Sequence, residues 1–128
     1  MPKFEPTKTI LKDFGKVQAF GVNTHRGMVR NYNEDRVSIL LNAQQRFKKI
    51  VDAGYKNCCL FGIFDGHGGS QCCNYLKEYL FSYLLSEETF TNSIMKALSD
   101  AFHSLDHEFL EKVQKTNPID SSGSCALV

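Results

Sequence analysis

The chain has 128 residues, with 15 Lys and Arg against 14 Asp and Glu, and this near balance argues against a nucleic-acid or membrane-surface binder, which carries clustered basic charge. With 42% hydrophobic and 23% charged residues, the composition is that of a globular domain rather than a disordered or fibrous chain. No stretch approaches the roughly 18 consecutive apolar residues of a membrane span. Met1-Pro2-Lys3-Phe4 lacks an apolar signal core and Pro2 stands where N-myristoylation needs Gly, so an intracellular protein, cytoplasmic or nuclear, is expected.

Residues 1–14 carry Pro2 and Pro6 without periodicity and read as an N-terminal arm, leaving 15–128 as the folded portion. A first strand is predicted over 17–23, where Val17, Ala19 and Gly21 alternate with Gln18, Phe20 and Val22. A second begins near Asp35 and runs through Val37, Ile39 and Leu41. The stretch 42–57 mixes amide and basic residues with Gly54 and reads as a connection, in the form of a hairpin with a short strand end. Residues 58–64 are continuously apolar, as in a strand buried on both faces, and this strand is predicted to stop at Asp65-Gly66-His67-Gly68-Gly69. Ser70 offers an N-cap for a helix in which Cys73, Leu76, Leu80, Tyr83 and Leu84 recur at helical spacing. A second helix over 91–114 carries Ile94, Leu98, Ala101, Phe102, Leu105 and Phe109 on one stripe, and the two together suggest a helical hairpin laid on a sheet. Residues 122–128 read as the start of a buried strand whose partner and cover come from elsewhere, so the chain is expected to be the N-terminal part of a longer domain.

Five cysteines, the adjacent pairs Cys58-Cys59 and Cys72-Cys73 plus Cys125, make neither a disulfide framework nor the usual zinc-ligand spacing, and buried reduced thiols are preferred. The sharpest feature is Asp65-Gly66-His67-Gly68-Gly69. It is either a plain glycine-rich turn or a site, and an Asp at a strand end, a carbonyl at Gly66 and a His two positions on together offer hard oxygen ligands and a proton donor. Arg30-Asn31-Tyr32-Asn33-Glu34-Asp35-Arg36 alone would be a solvated ion-pair cluster. Combined with Asp65, its carboxylates could converge on divalent metal while Arg30 forks a phosphate. Rival phosphate chemistries lack their residues. All four arginines precede the first cysteine, so no Cys-x5-Arg loop exists, and neither Gly-x4-Gly-Lys-Ser/Thr nor Asp-x-Asp is present, which leaves a metal-activated water. His103 and His107 stand four apart on one helix face without a Glu-x-x-His pattern and read as ordinary helix residues, as His25 reads as a turn residue. Ser124 has no Gly-x-Ser-x-Gly elbow around it.

Three segments in order, Thr24-His25-Arg26-Gly27-Met28-Val29-Arg30 leading into Asn33-Glu34-Asp35, then Phe61-Gly62-Ile63-Phe64-Asp65-Gly66-His67-Gly68-Gly69, then Ser122-Gly123-Ser124-Cys125-Ala126, resemble the metal-dependent serine/threonine protein phosphatases known as PP2C, of the eukaryotic type. The resemblance implies an α+β fold, a four-layer α/β/β/α sandwich of antiparallel sheets that is incomplete in this chain. It implies two Mg²⁺ or Mn²⁺ ions sharing Asp65, with the Gly66 carbonyl on one ion and Glu34 and Asp35 acting directly or through water. Arg30 then matches the arginine that holds the substrate phosphate, and His67 the proposed general acid. The expected reaction is hydrolysis of phosphoserine and phosphothreonine in phosphorylated proteins by a water bridging the two ions. The family's later aspartates are missing here, and Glu34, Asp35 and Asp65 alone are thin for two hard cations, so these 128 residues by themselves are expected to be inactive and to self-associate through exposed strand edges. Two other readings stay open: a non-catalytic PP2C-like scaffold, and a calcineurin-like metallophosphoesterase in which Asp65 and His67 both bind metal.

Overall fold

The computed structural model describes residues 7–10 and 16–128. Strands β1 (Lys8–Ile10) and β2 (Phe20–Val22) form an antiparallel pair with Lys8 opposite Val22 and Ile10 opposite Phe20. Lys8–Ile10 therefore takes part of the expected arm into a ladder, while 1–6 and 11–14 lie outside the described residues. The strand expected over 17–23 is shorter, because its ladder with β1 holds only the pairs from Phe20 to Val22.

The main sheet is antiparallel in the order β3 (Arg36–Leu40), β4 (Leu60–His67), β5 (Gly123–Leu127), with β4 central. Residues 42–57 are not a hairpin end. They hold a 3₁₀ turn (Ala43–Gln45) and helix α1 (Lys48–Asp52), because Ala43 and Ile50 bury fully and the Ala43 N–H donates to the Cys58 carbonyl at 2.9 Å, closing the loop back on itself.

Helix α2 (Gln71–Ser86) packs on β3 and β4 with one side and on α3 (Ile94–Val113) with the other, which is the helical hairpin expected on the sheet. The core lies between these layers. Phe64 from β4, Leu80, Leu84 and Leu85 from α2 and Ala97, Ala101 and Leu105 from α3 are at most 2% exposed, and each large apolar side chain so buried contributes about 1.5–3 kcal/mol. Helix α3 begins later than the expected residue 91, because Ser93 takes the N-cap, accepting from the Lys96 N–H at 3.4 Å, and Glu88–Thr91 wind as a 3₁₀ turn.

Two expectations about β4 are corrected. The strand does not stop before Asp65; it continues through His67, because β5 supplies ladder partners for Asp65, Gly66 and His67 in Cys125, Ser124 and Gly123. Nor is it buried on both faces. Gly62, Phe64 and Gly66 face α2, while Ile63, Asp65 and His67 point out, the period-two alternation of a half-exposed sheet. Strand β5, expected to be buried, exposes Cys125, Ala126 and Leu127. On that outward side the β1–β2 pair approaches through Phe20, whose ring meets Phe61 edge-on at 5.5 Å. The architecture is α+β with antiparallel sheets.

Candidate active site

The register of the sheet sets the site. Arg36 pairs with Phe64 at the end of the β3–β4 ladder, so extending that register one residue sets Asp35 opposite Asp65, and the ladder on the other flank sets Cys125 opposite Asp65. Directly opposed residues of antiparallel strands share a face, so Asp35, Asp65 and Cys125 form one row across three strands, with His67 two residues farther along the same face. Asp65 and His67 are exposed and Asp35 is half-buried. Among the described residues neither Asp35 nor Asp65 is ion-paired.

Glu34 goes the other way. Adjacent strand residues point to opposite faces, and the Glu34 carboxylate Oε1 accepts from the Gly69 N–H at 2.6 Å on the helix side of the sheet. The Glu34 carbonyl accepts from the Cys73 thiol at 2.6 Å, and a Cβ on Gly66 would stand 2.6 Å from that same carbonyl oxygen and 2.9 Å from Cys73 Sγ. Glycine at 66 is thus what lets the two chains close. Burial pushes the Cys73 thiol above its usual range, which keeps it a protonated donor. The structure therefore brings Asp35 and Asp65 together, puts Gly66 beside Glu34, and turns the Glu34 side chain toward the glycine turn.

The approach to Asp35 is tied down by Arg36, the flanking cation of the 30–36 cluster. Arg36 donates from one terminal nitrogen to the Asn33 and Asp35 carbonyls, at 2.7 and 2.8 Å, and from Nε to Asn74 Oδ1 on α2 at 2.7 Å. Asn33 Oδ1 accepts from the Asp35 N–H at 3.0 Å while its amide donates to Thr24 Oγ1 at 2.8 Å. Arg30 sits on the exposed stretch ahead of this turn, and its carbonyl accepts from the Arg26 guanidinium. His25 accepts from the Gly27 N–H at 3.0 Å, the turn role expected for it.

His67 lies over Gly123, where a Cβ would come within 2.5 Å of its Nε2. Ser70, expected to cap α2, holds the N-cap place with φ −102° and ψ 2°, not the extended backbone a capping side chain needs, and makes no cap bond. Ser122 does this instead, its Oγ accepting from the Cys72 N–H at 3.0 Å. His103 and His107 are exposed on α3, and His107 Nδ1 lies 3.9 Å from Glu111.

The family's two metal ions can be tested against these donors. Asp35 and Asp65 are hard, anionic and without an ion-pair partner among the described residues, and the Gly66 carbonyl adjoins Asp65 in sequence, so their chemistry suits Mg²⁺ or Mn²⁺. The set is partial: among the described residues no three His, Cys, Asp or Glu side chains stand close enough to hold an ion. No helix among the described residues is long and apolar enough to cross a membrane.

The chain is 44% identical over 69 residues to probable protein phosphatase 2C 45 of Oryza sativa subsp. japonica, a match covering 54% of this chain and 24% of that protein. It is 43% identical over 70 residues to probable protein phosphatase 2C 76 of Arabidopsis thaliana, covering 55% and 17%. It is 38% identical over 94 residues to probable protein phosphatase 2C 56 of Oryza sativa subsp. japonica, covering 73% and 24%. The chain thus spans about a quarter or less of the length of these relatives. The family model for protein phosphatase 2C matches residues 21–128, from within β2 through β5, and the chain belongs to the protein phosphatase 2C family.

Proposed function

We propose that this chain is the N-terminal portion, over residues 15–128, of the catalytic domain of a metal-dependent phosphoserine/phosphothreonine protein phosphatase. In this reading the β3–β5 sheet and its two helices are half of a four-layer α/β/β/α sandwich. The observation that carries it is the row of Asp35 and Asp65, facing outward and without an ion pair among the described residues, with His67 on the same face, in a chain of this family. Asp35, Asp65 and the Gly66 carbonyl would hold Mg²⁺ or Mn²⁺, with Glu34 oriented by the Gly69 amide at the edge of the site. Such an ion, when bound, lowers the pKa of a coordinated water toward neutrality and neutralises phosphoryl charge.

The chain's own groups supply the rest. Arg30 presents a planar fork to the phosphate's oxygens, neutralising charge that grows on them as the bond to phosphorus breaks. His67, opposite Gly123 in the ladder, donates a proton to the serine or threonine oxygen as it leaves, so the leaving group departs as an alcohol. No protein nucleophile is required. The family match leaves the calcineurin-like alternative without support.

The test is phosphopeptide hydrolysis by the full-length protein with Mg²⁺ or Mn²⁺ and after chelation. Turnover should need metal, and Asp65→Asn should weaken metal binding by calorimetry as well as abolish turnover, since it removes the charge that screens the ions. Unchanged metal affinity in Asp65→Asn would sink the site assignment, and tight phosphoprotein binding with no turnover would favour the scaffold reading. Cysteine alkylation is a clean control only on a Cys125→Ser background, because the exposed Cys125 stands across the strand from Asp65.

A further inference from the structure

We propose that Ser122 is a positioning residue for this site, acting as the last link of a hydrogen-bond relay that runs from the end of α3 to the start of α2 and holds the glycine turn between Asp65 and α2. The inference rests on the functional reading above. Thr116 Oγ1 donates to the Val113 carbonyl at 2.7 Å and accepts from the Asp120 N–H at 3.0 Å. Asp120 Oδ1 accepts from the Ser122 N–H at 2.7 Å, and Ser122 Oγ accepts from the Cys72 N–H at 3.0 Å. The first amides of a helix have no partner within it, and here a residue 50 positions away satisfies one.

The glycine turn lies in the space this relay defines. Gly68 and Gly69 both have positive φ, +68° and +130°, so the turn depends on backbone few residues adopt. A Cβ at Gly68 would stand 3.2 Å from the Ser121 carbonyl oxygen, and one at Gly69 would stand 3.2 Å from Ser122 Cβ, so the turn rests directly on the 121–122 backbone and side chain. From that turn the Gly69 N–H holds Glu34, and at its start His67 lies over Gly123, next in the chain to Ser122. A shift of the 120–123 segment therefore moves the Glu34 partner and the His67 platform together, while Asp65 stays in its ladder with Cys125 and Arg36, next to Asp35, in its ladder with Phe64.

In the full-length protein, Ser122→Ala is expected to lower kcat about tenfold or more with KM for phosphopeptide little changed, because misplacement of a reacting group of the order of 1 Å costs rate rather than binding. Ser122→Thr, which keeps the hydroxyl, should restore it, and Ser70→Ala should leave kcat unchanged. Amide exchange, which needs no activity, should show Cys72 and Gly69 losing protection in Ser122→Ala. Should that variant fail to fold, Thr116→Val cuts the relay at α3 and should give the same loss of protection and a smaller loss of kcat. Wild-type kcat with retained protection in Ser122→Ala, or loss of activity in Ser70→Ala in its place, overturns the proposal. A wild-type protein without metal-dependent turnover overturns the functional reading instead, and exchange at Cys72 and Gly69 still decides the relay.

Discussion

Gly66 and Gly123 are both pressed by a neighbour, yet the neighbours differ in kind, and so do the expected costs of adding a methyl group. At Gly66 the obstacles are the Glu34 carbonyl oxygen and the buried Cys73 thiol, neither of which can swing away, so Gly66→Ala should destabilise the fold by about 1–3 kcal/mol in a urea titration. At Gly123 the obstacle is the imidazole of an exposed His67, which can rotate off. Gly123→Ala should therefore change stability by no more than about 0.5 kcal/mol while turnover of the full-length protein falls. Equal losses of stability in the two variants would contradict this contrast. The Asp65-Gly66-His67 segment was legible in the sequence as chemistry, because an acid, a bare carbonyl and a histidine in three consecutive residues have few uses. Gly123, Ser122 and the fork of Arg36 were not, since each gains its role from a partner met only in the folded chain, and a glycine or serine before a strand looks like any other turn.

The two long helices are joined at a point where their own titration is informative. Tyr75 and Tyr83 of α2 both donate to the Glu108 carboxylate of α3, Tyr75 at 3.0 Å, and Lys112 Nζ lies 5.0 Å above the Tyr75 ring. Burial, then the Glu108 contact, pushes Tyr75 up to about 12, and the hydrogen bonds from Tyr83 and Tyr75 hold Glu108 below its usual range. For Glu108, lowered in the fold, the contribution is complete above the ordinary carboxylate range and is lost as pH falls through its depressed value. For Tyr75, raised in the fold, it is complete below the ordinary tyrosine range and is lost as pH climbs toward about 12. Glu108→Gln should flatten the acid side of the stability profile and let Tyr75 and Tyr83 ionise nearer pH 10, read from tyrosinate absorbance; an unshifted titration would rule the contact out. The helices themselves were legible from their apolar stripes, and α3 begins where Ser93 caps it. The length of β4 was not legible, because it is set by β5, and periodicity within one strand carries no information about how far its partner reaches.

Taken as a whole, the molecule covers one face of its sheet with helices and, among the described residues, leaves the other face open around Ile63 and Leu127. The helices bury Phe64, while on the opposite face Ile63 is 52% exposed and its ladder partner Leu127 71%. Beside them an open cleft of about 950 Å³ runs between the β1–β2 pair and β3, with Val22, Val37, Ile39 and Asp35 among its walls. Both outer strands of the three-stranded sheet, β3 and β5, also lack a further ladder partner among the described residues. Apolar surface and unpaired strand edges on one side are the conditions for association, so these 128 residues expressed alone should elute from size-exclusion chromatography above the monomer mass, increasingly so with concentration. Leu127→Lys should shift them toward monomer, because it puts a charge on the exposed face and on the edge strand at once. The same piece should be inert toward phosphopeptide and bind Mg²⁺ weakly, since Asp35, Asp65 and one carbonyl leave most of two coordination spheres to water. A monomer with full metal-dependent turnover would mean that the row of Asp35 and Asp65 needs no further protein ligands, and the proposed division of the domain would fall with it.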